Sequence, residues 1–324
     1  LIEKEAKDSI VYMIDTQDFV AARRLIRRYA NLTPICTSSS LDAICKAEIV
    51  WKCESFQKVG AFKFRGAINA VFSLPKEEAA RGVATHSSGN HAQAVALAAK
   101  MAGIPAHIVM PENAPPVKVA AVKGYGGKVR FCPPTLEARE AGQKKVIEET
   151  GATFIHPSEN LRVITGQGTA LLELLEQAPE LEAVLVPVGG GGLASGSARA
   201  AALFHPGLKV YGVEPEQADD AWRSLTTGKL VRPEHPDTIA DGLRTALGPN
   251  TFSILSQHLA GIVTVSEQAI LDALRLIWER MKLVVEPSAA VPLAAFLENK
   301  VPELTGKRVG IILSGGNVSF PEWS

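Results

Sequence analysis

VPVGGGGLASG, residues 186–196, decides the fold. An apolar run as short as a buried strand meets four glycines, Gly189, Gly190, Gly191 and Gly192, and leaves through Leu193 into small residues of helical character. Without Cβ atoms the turn is tight and its N–H groups are open to an anion, while the helix that follows adds partial positive charge. A strand, a glycine turn and a helix form a phosphate-binding junction of an open α/β sheet, whose ligands sit beyond the carboxyl ends of the strands. The ligand itself stays open at this point. Gly189, Gly191 and Ala194 fit G-x-G-x-x-A, and Glu214 closes the next strand about where a ribose-binding acid belongs, so a nicotinamide dinucleotide competes with a simpler phosphate. A glycine turn without a ligand is the plain alternative.

Outward from that junction, short apolar runs alternate with longer amphipathic ones. Strands are expected at 48–53, 82–87, 106–111, 128–133, 183–188, 209–214 and 309–314. Helices are expected at 91–103, 136–151, 169–178, 266–282 and 287–300, where apolar residues recur at spacings of three and four. Such alternation implies βαβ units with parallel sheets wrapped by helices. The block 82–153 reads as a small βαβαβα domain inserted into a larger one built from 1–81 and 154–324, with the cleft between them as the natural site.

The 324 residues are 46% hydrophobic, ample for a core of that size. Lys plus Arg and Asp plus Glu both count 34, which argues against a broad nucleic-acid or membrane footprint. The cysteines, Cys36, Cys45, Cys53 and Cys132, have no metal-ligand spacing and read as reduced core thiols. No run reaches the roughly 18 apolar residues of a membrane span, and LIEKEAKDSI is too charged for a secretory signal, so a cytoplasmic protein is expected.

Three further segments carry chemistry. In QKVGAFKFRGAINA (57–70), Lys63 sits between Phe62 and Phe64. A lone lysine is ordinarily a surface residue, but desolvation lowers its pKa and makes the amine nucleophilic, as Schiff-base chemistry requires. Phe62 could cover one face of an aromatic cofactor. In VATHSSGNHAQA (83–94), Ser87 and Ser88 stand at a strand-to-helix junction, where hydroxyls either cap the helix or touch a ligand. In VGIILSGGNVSF (309–320), Ser314 ends a buried run and can hydrogen-bond a ring nitrogen or simply serve a turn.

Taken in order, A-F-K-x-R-G-A, S-S-G-N-H-A-Q, G-G-G-G-L and S-G-G-N resemble the fold-type II pyridoxal-phosphate enzymes of the serine/threonine dehydratase group, and within it the eukaryotic serine racemases. The likeness runs from LTPICTSS (32–39) to LSGGN (313–317). It implies a two-domain, tryptophan synthase β-like α/β fold and pyridoxal 5'-phosphate as cofactor. Lys63 would carry the cofactor, with Phe62 against its ring, Asn90 on the ring oxygen, Gly189 to Gly192 with Leu193 around the phosphate, and Ser314 at the ring nitrogen. The second serine of the motif, Ser88, would move protons on the face opposite Lys63. Many dehydratases of the group carry alanine there, so Ser88 favours racemisation of serine accompanied by elimination to pyruvate and ammonia. A serine/threonine dehydratase is the alternative; more remote are a nicotinamide oxidoreductase and a catalytically silent ligand-binding relative.

The same resemblance places substrate at Ser87, His91, Arg139 and Thr245, the last standing where the racemases have serine. It implies a divalent cation, Mg²⁺ or else Ca²⁺ or Mn²⁺, held by Glu214, the carbonyl of Ala218 and Asp220, hard oxygen ligands suited to such ions. ATP as an activator would meet Ser38, Ser39, Lys58, Gln93, Tyr125, Lys282 and Asn317. Here the chain departs from the family pattern at Val59, where threonine is usual, and at Ser40, where isoleucine is usual. A homodimer acting on a small amino acid, without nucleic acid or membrane partners, completes the expectation.

Overall fold

A computed structural model describes residues 14–87, 89–232 and 236–319. Its strands form two sheets. The larger runs in the order β1 (Ile35–Cys36), β2 (Glu48–Cys53), β10 (Arg308–Leu313), β7 (Ala183–Pro187), β8 (Lys209–Pro215) and β9 (Gly261–Val265). The smaller runs β5 (Lys128–Cys132), β4 (Ala106–Pro111), β3 (Val83–His86) and β6 (Thr153–Phe154). Every pairing is parallel except β1 with β2. Parallel strands covered on both faces read as continuous apolar runs, which is why the sequence shows them so plainly.

Register divides those runs between two cores. Trp51, Ile311, Leu185 and Tyr211 stand in one row and pack beneath the helices Glu267–Leu276 and Pro287–Leu297. Val50, Val184 and Val210 face the other way, against Leu161–Gln177 and Gly192–Phe204. Truncating a fully buried member such as Ile311 to alanine costs about 2–5 kcal/mol. Around the smaller sheet, Ile108 and Met110 pack with Val95 and Ala99, while Val109 packs with Val146 on the opposite face.

Two differences from the sequence reading bear on the site. The helix expected at 169–178 begins eight residues earlier, as Leu161–Gln177, with the Asn160 side chain accepting from the amides of Arg162 and Val163. Glycine ordinarily weakens a helix interior, but Gly166 and Gly168 serve close packing here. A Cβ on Gly166 would lie 2.6 Å from the Cα of Gly66, and one on Gly168 would lie 2.4 Å from the Gly196 carbonyl oxygen. The segment around Lys63, unassigned from sequence, is the helix Lys63–Phe72, packed on Leu161–Gln177 where Gly66 meets Gly166. β9, GIVTV, also escaped the reading because so short a β-branched run carries no flanking turn signal of its own. Among the described residues no helix is long and apolar enough to cross a membrane, and the four cysteines are free.

Candidate active site

Lys63 opens its helix from an unusual approach. Val59 and Gly60 have φ of 59° and 68°, and a β-branched residue in the left-handed region is uncommon. The SGGN loop holds that conformation in place. Phe62 N–H donates to the Ser314 carbonyl at 3.0 Å, Gly316 N–H to the Gly60 carbonyl at 2.9 Å, and the Asn317 amide to the Val59 carbonyl at 2.7 Å. Lys63 Nζ donates to the Pro157 carbonyl at 3.1 Å and stands 5.0 Å from the centre of the Phe62 ring. Enclosure of the amine brings its pKa from 10.5 down to about 8, with Glu286 opposing the shift. The result is an amine close to deprotonation near neutral pH.

The glycine turn follows β7. Gly191, at φ 77°, precedes the helix Gly192–Phe204, whose first amides, those of Gly192 and Leu193 among them, have no acceptor within the helix. Gly190 N–H donates to Thr245 Oγ1 at 2.8 Å. A Cβ on Gly189 would come within 2.8 Å of the Leu243 Cα, and one on Gly190 within 2.7 Å of Ser158 Oγ. The absence of side chains is therefore a packing requirement here. Thr245, expected to face substrate, fastens this turn.

Ser87 and Asn90 end β3 and begin the helix Asn90–Ala102; Ser88 between them lies outside the described residues. Ser87 Oγ accepts from Gly89 N–H at 3.3 Å. The Asn90 amide donates to both oxygens of Glu286 at 2.9 and 3.1 Å, and its carbonyl accepts from Asn317 at 2.8 Å. Glu286 was not singled out from sequence. It is 3% exposed, and burial pushes its carboxyl up to about 7 while the Asn90 bond resists. Its signal was an acid inside the otherwise apolar LVVEPSAAV (283–291).

His91 is buried, with Nε2 3.0 Å from the Ile155 carbonyl, which places the ring proton there. Nδ1 has no hydrogen-bond partner among the described residues. Burial, with Lys63 adding to it, lowers its pKa to about 3, so the imidazole is neutral and offers no cation to a carboxylate. His86 is likewise lowered to about 4 by burial and stacks on Phe154 at 5.6 Å. Arg139, on Leu136–Thr150, donates to the Thr135 carbonyl at 3.3 Å, and its charge adds to the lowering of His86.

The residues proposed for a cation form a separate pocket of charge. Glu214, in β8, is fully buried and accepts from the amides of Ala221 and Trp222 at 3.1 and 2.8 Å. With those amides occupying it, Glu214 is not placed to bind a ribose, and the dinucleotide reading of the glycine turn falls. Asp220, also fully buried, has no well-formed hydrogen bond on either oxygen among the described residues, although the Leu247 amide and its own backbone amide approach. Burial raises the Asp220 carboxyl to about 7 and drives that of Glu214 well up. Ala218 ends the neighbouring turn Glu216–Ala218. Among the described residues no three His, Cys, Asp or Glu side chains group to hold a metal, so a cation here would rely on these two acids with carbonyls and water.

Of the nucleotide candidates, Asn317 is built into the site, and Gln93 is buried one turn beyond Asn90. Lys58 lies 5.7 Å from the Phe64 ring, while Ser38 bonds Ser40 and Lys282 bonds the Glu279 carbonyl. Among the described residues no hydrogen bond joins Ser38, Ser39, Tyr125 or Lys282 to the others.

A model of the pyridoxal-phosphate-dependent enzymes matches residues 26–315. A serine racemase from Dictyostelium discoideum is 47% identical over 95% of this chain and 96% of its own. The chain belongs to the serine racemase family of fold-type II pyridoxal-phosphate enzymes. An L-threo-3-hydroxyaspartate ammonia-lyase from Saccharomyces cerevisiae is 48% identical over 95% of this chain and 94% of its own. The solved structure of maize serine racemase superposes with a TM-score of 0.93 at 46% identity, again over 95% of each chain. The family thus holds racemases and lyases at equal distance from this chain, with pyridoxal phosphate as their shared cofactor.

Proposed function

We propose that the protein is a serine racemase that also eliminates water from serine to give pyruvate and ammonia. The observation that carries the reading is the enclosed Lys63 amine, lowered to about 8 and set against Phe62. The residues present fit pyridoxal phosphate. Gly189 to Gly192 and Leu193 present amides and a helix end for the phosphate, and Cβ atoms at Gly189 and Gly190 would collide with the wall behind them. Ser314, buried at the end of β10, offers a hydroxyl to the ring nitrogen without forcing it to protonate. Asn90 has two amide hydrogens, so it can hold Glu286 and still donate to the ring oxygen.

When bound, the cofactor acts as the electron sink that acidifies the substrate's Cα–H. Lys63 takes the Cα proton on its own side. Ser88 returns a proton from the opposite side, which inverts the centre; a hydroxyl is a poor acid and base, so this step would need close approach to Cα. Ser87 and the first amides of Asn90–Ala102 receive the substrate carboxylate, His91 contributing through its backbone since its ring is neutral. Arg139 comes to the substrate as the small domain, 82–153, closes on the large one, 1–81 and 154–324. Thr245 shapes the substrate side through the glycine turn it fastens. Glu214, the Ala218 carbonyl and Asp220 would hold Mg²⁺, or Ca²⁺ or Mn²⁺, whose charge would neutralise two buried acids. The active form is a homodimer in the cytoplasm, and ATP bound by Ser38, Ser39, Lys58, Gln93, Tyr125, Lys282 and Asn317 activates it.

Incubating the purified enzyme with L-serine and resolving D-serine from pyruvate over time tests the reading. D-serine and pyruvate both accumulate if it is right, while pyruvate without D-serine makes the protein a dehydratase. Ser88→Ala is expected to lose racemisation and keep elimination from one enantiomer; equal loss of both breaks the two-sided proton transfer. A lyase for L-threo-3-hydroxyaspartate is the second reading, favoured by the yeast relative, and turnover of that substrate well above serine would establish it.

A further inference from the structure

Arg65 lies two residues beyond Lys63 on the same helix and is fully buried. Its Nε and Nη2 donate to the two oxygens of Glu54 at 2.8 and 2.7 Å. Its Nη1 and Nη2 also donate to the two oxygens of Glu173 at 3.0 and 2.8 Å. Glu54 follows directly on β2, and Glu173 belongs to Leu161–Gln177. One planar fork therefore ties the Lys63 helix both to the large sheet and to the neighbouring helix. Lys52 completes the charge balance from further off, donating to Glu173 at 2.6 Å, the Thr33 carbonyl at 2.8 Å and Gln177 at 2.7 Å. It makes no hydrogen bond to the Lys63 helix.

The start of that helix needs such a tie. Phe62 provides no side-chain cap, and Val59, a β-branched residue in the left-handed region, leaves the entering chain in an unfavourable conformation. We propose that Arg65 is a positioning residue for Lys63: its fork, gripped by Glu54 and Glu173, fixes the first helical turn and with it the direction in which the Lys63 amine is presented to the cofactor. The inference rests on the reading of Lys63 as the residue that carries pyridoxal phosphate.

The test compares Arg65→Lys with Lys52→Met, both as holoenzymes. Lysine keeps the charge but has no fork with which to hold two carboxylates. In Arg65→Lys, kcat falls by about 10–100-fold, as expected of a small misplacement, with KM little changed. The visible absorbance of the bound cofactor also titrates at a shifted pH. Lys52→Met lowers the thermal midpoint of the same cluster but leaves the cofactor titration and kcat as in the parent. A parent-like titration in Arg65→Lys, or an equal shift in Lys52→Met, overturns the proposal. Should Arg65→Lys not fold, Glu54→Gln loosens the fork from its other end, and its titration decides in the same way. Lys63→Ala separates the two readings. If the lysine-linked absorbance survives in it, the assignment of Lys63 fails and this inference with it. If that absorbance is lost while Arg65→Lys titrates like the parent, only the role of Arg65 fails.

Discussion

Two groups of buried acids lie in this molecule, and they have opposite fates. Glu173, with Arg65 and Lys52 against it, has its carboxyl held down to about 2 in spite of burial. Asp220, more deeply buried than Glu173, is pushed up to about 7, and Glu214 beside it is driven up as well. In the first group two cations and two carboxylates, Arg65, Lys52, Glu54 and Glu173, cancel, and Arg65 and Lys52 donate directly to the carboxylate oxygens. In the second, two acids share a few backbone amides, and among the described residues no cationic side chain hydrogen-bonds them. Desolvation is common to both, so the difference comes from what replaces the lost water. A closed cluster is finished architecture. An open one keeps the cost of its desolvation.

The sharpest way to break the contrast is to open the closed cluster. Arg65→Met leaves Glu54 and Glu173 facing each other without their fork and is expected to cost about 3–5 kcal/mol, read from the urea midpoint. Adding Glu54→Gln to that variant should recover part of the loss; no recovery would mean that packing, not charge, is what Arg65 supplies. Acid opens the same cluster reversibly. Glu173 ionises at about 2 in the fold and near 4.5 once unfolded, so the unfolded chain binds more protons between those values. Its contribution is therefore present above pH 4.5 and lost as pH falls towards 2, amounting to about 3 kcal/mol. Glu173→Gln should flatten that part of the stability curve while lowering stability at neutral pH.

Closing the open pair works in the other direction. Chelated protein titrated with Mg²⁺ or Ca²⁺ should gain about 2.7 kcal/mol at a hundredfold excess over Kd, seen as a rising thermal midpoint. Asp220→Asn should abolish the response. A parent protein whose midpoint ignores both ions leaves Glu214 and Asp220 as an unrelieved structural cost.

How much of this could be read in advance follows from how local each signal is. Most strands of both sheets showed, β1, β6 and β9 excepted, because buried parallel strands read as apolar runs. The glycine turn showed because four glycines in a row have a single-site explanation. Lys63 acquired meaning only beside three other motifs, since one lysine among apolar residues has no pattern of its own. Arg65 and Glu173 are 108 positions apart and Asn90 and Glu286 are 196 apart, so no window of sequence contains either pair. The early start of Leu161–Gln177 was hidden for a related reason: glycine ordinarily weakens a helix interior, and the packing that Gly166 and Gly168 serve shows only once the helices they admit are in place. Local chemistry predicts elements and candidate groups, whereas the partners that set each group's charge come from topology.

The smallest change tests whether the closed cluster is as redundant as its geometry implies. Thr33 Oγ1 donates to Glu54 at 2.6 Å, in the same place where Arg65 already donates twice. Thr33→Val keeps the shape and removes one hydroxyl, and because Glu54 retains its guanidinium partner the cost should be about 1–2 kcal/mol. A loss as large as that of Arg65→Met would mean that the hydroxyl and the fork act as one unit, and a double-mutant cycle with Glu54→Gln would measure the coupling. No equivalent small deletion exists at the open pair, since the donors found for Glu214 are the backbone amides of Ala221 and Trp222, which a side-chain substitution does not remove. Sensitivity there should follow added cations and not removed hydroxyls.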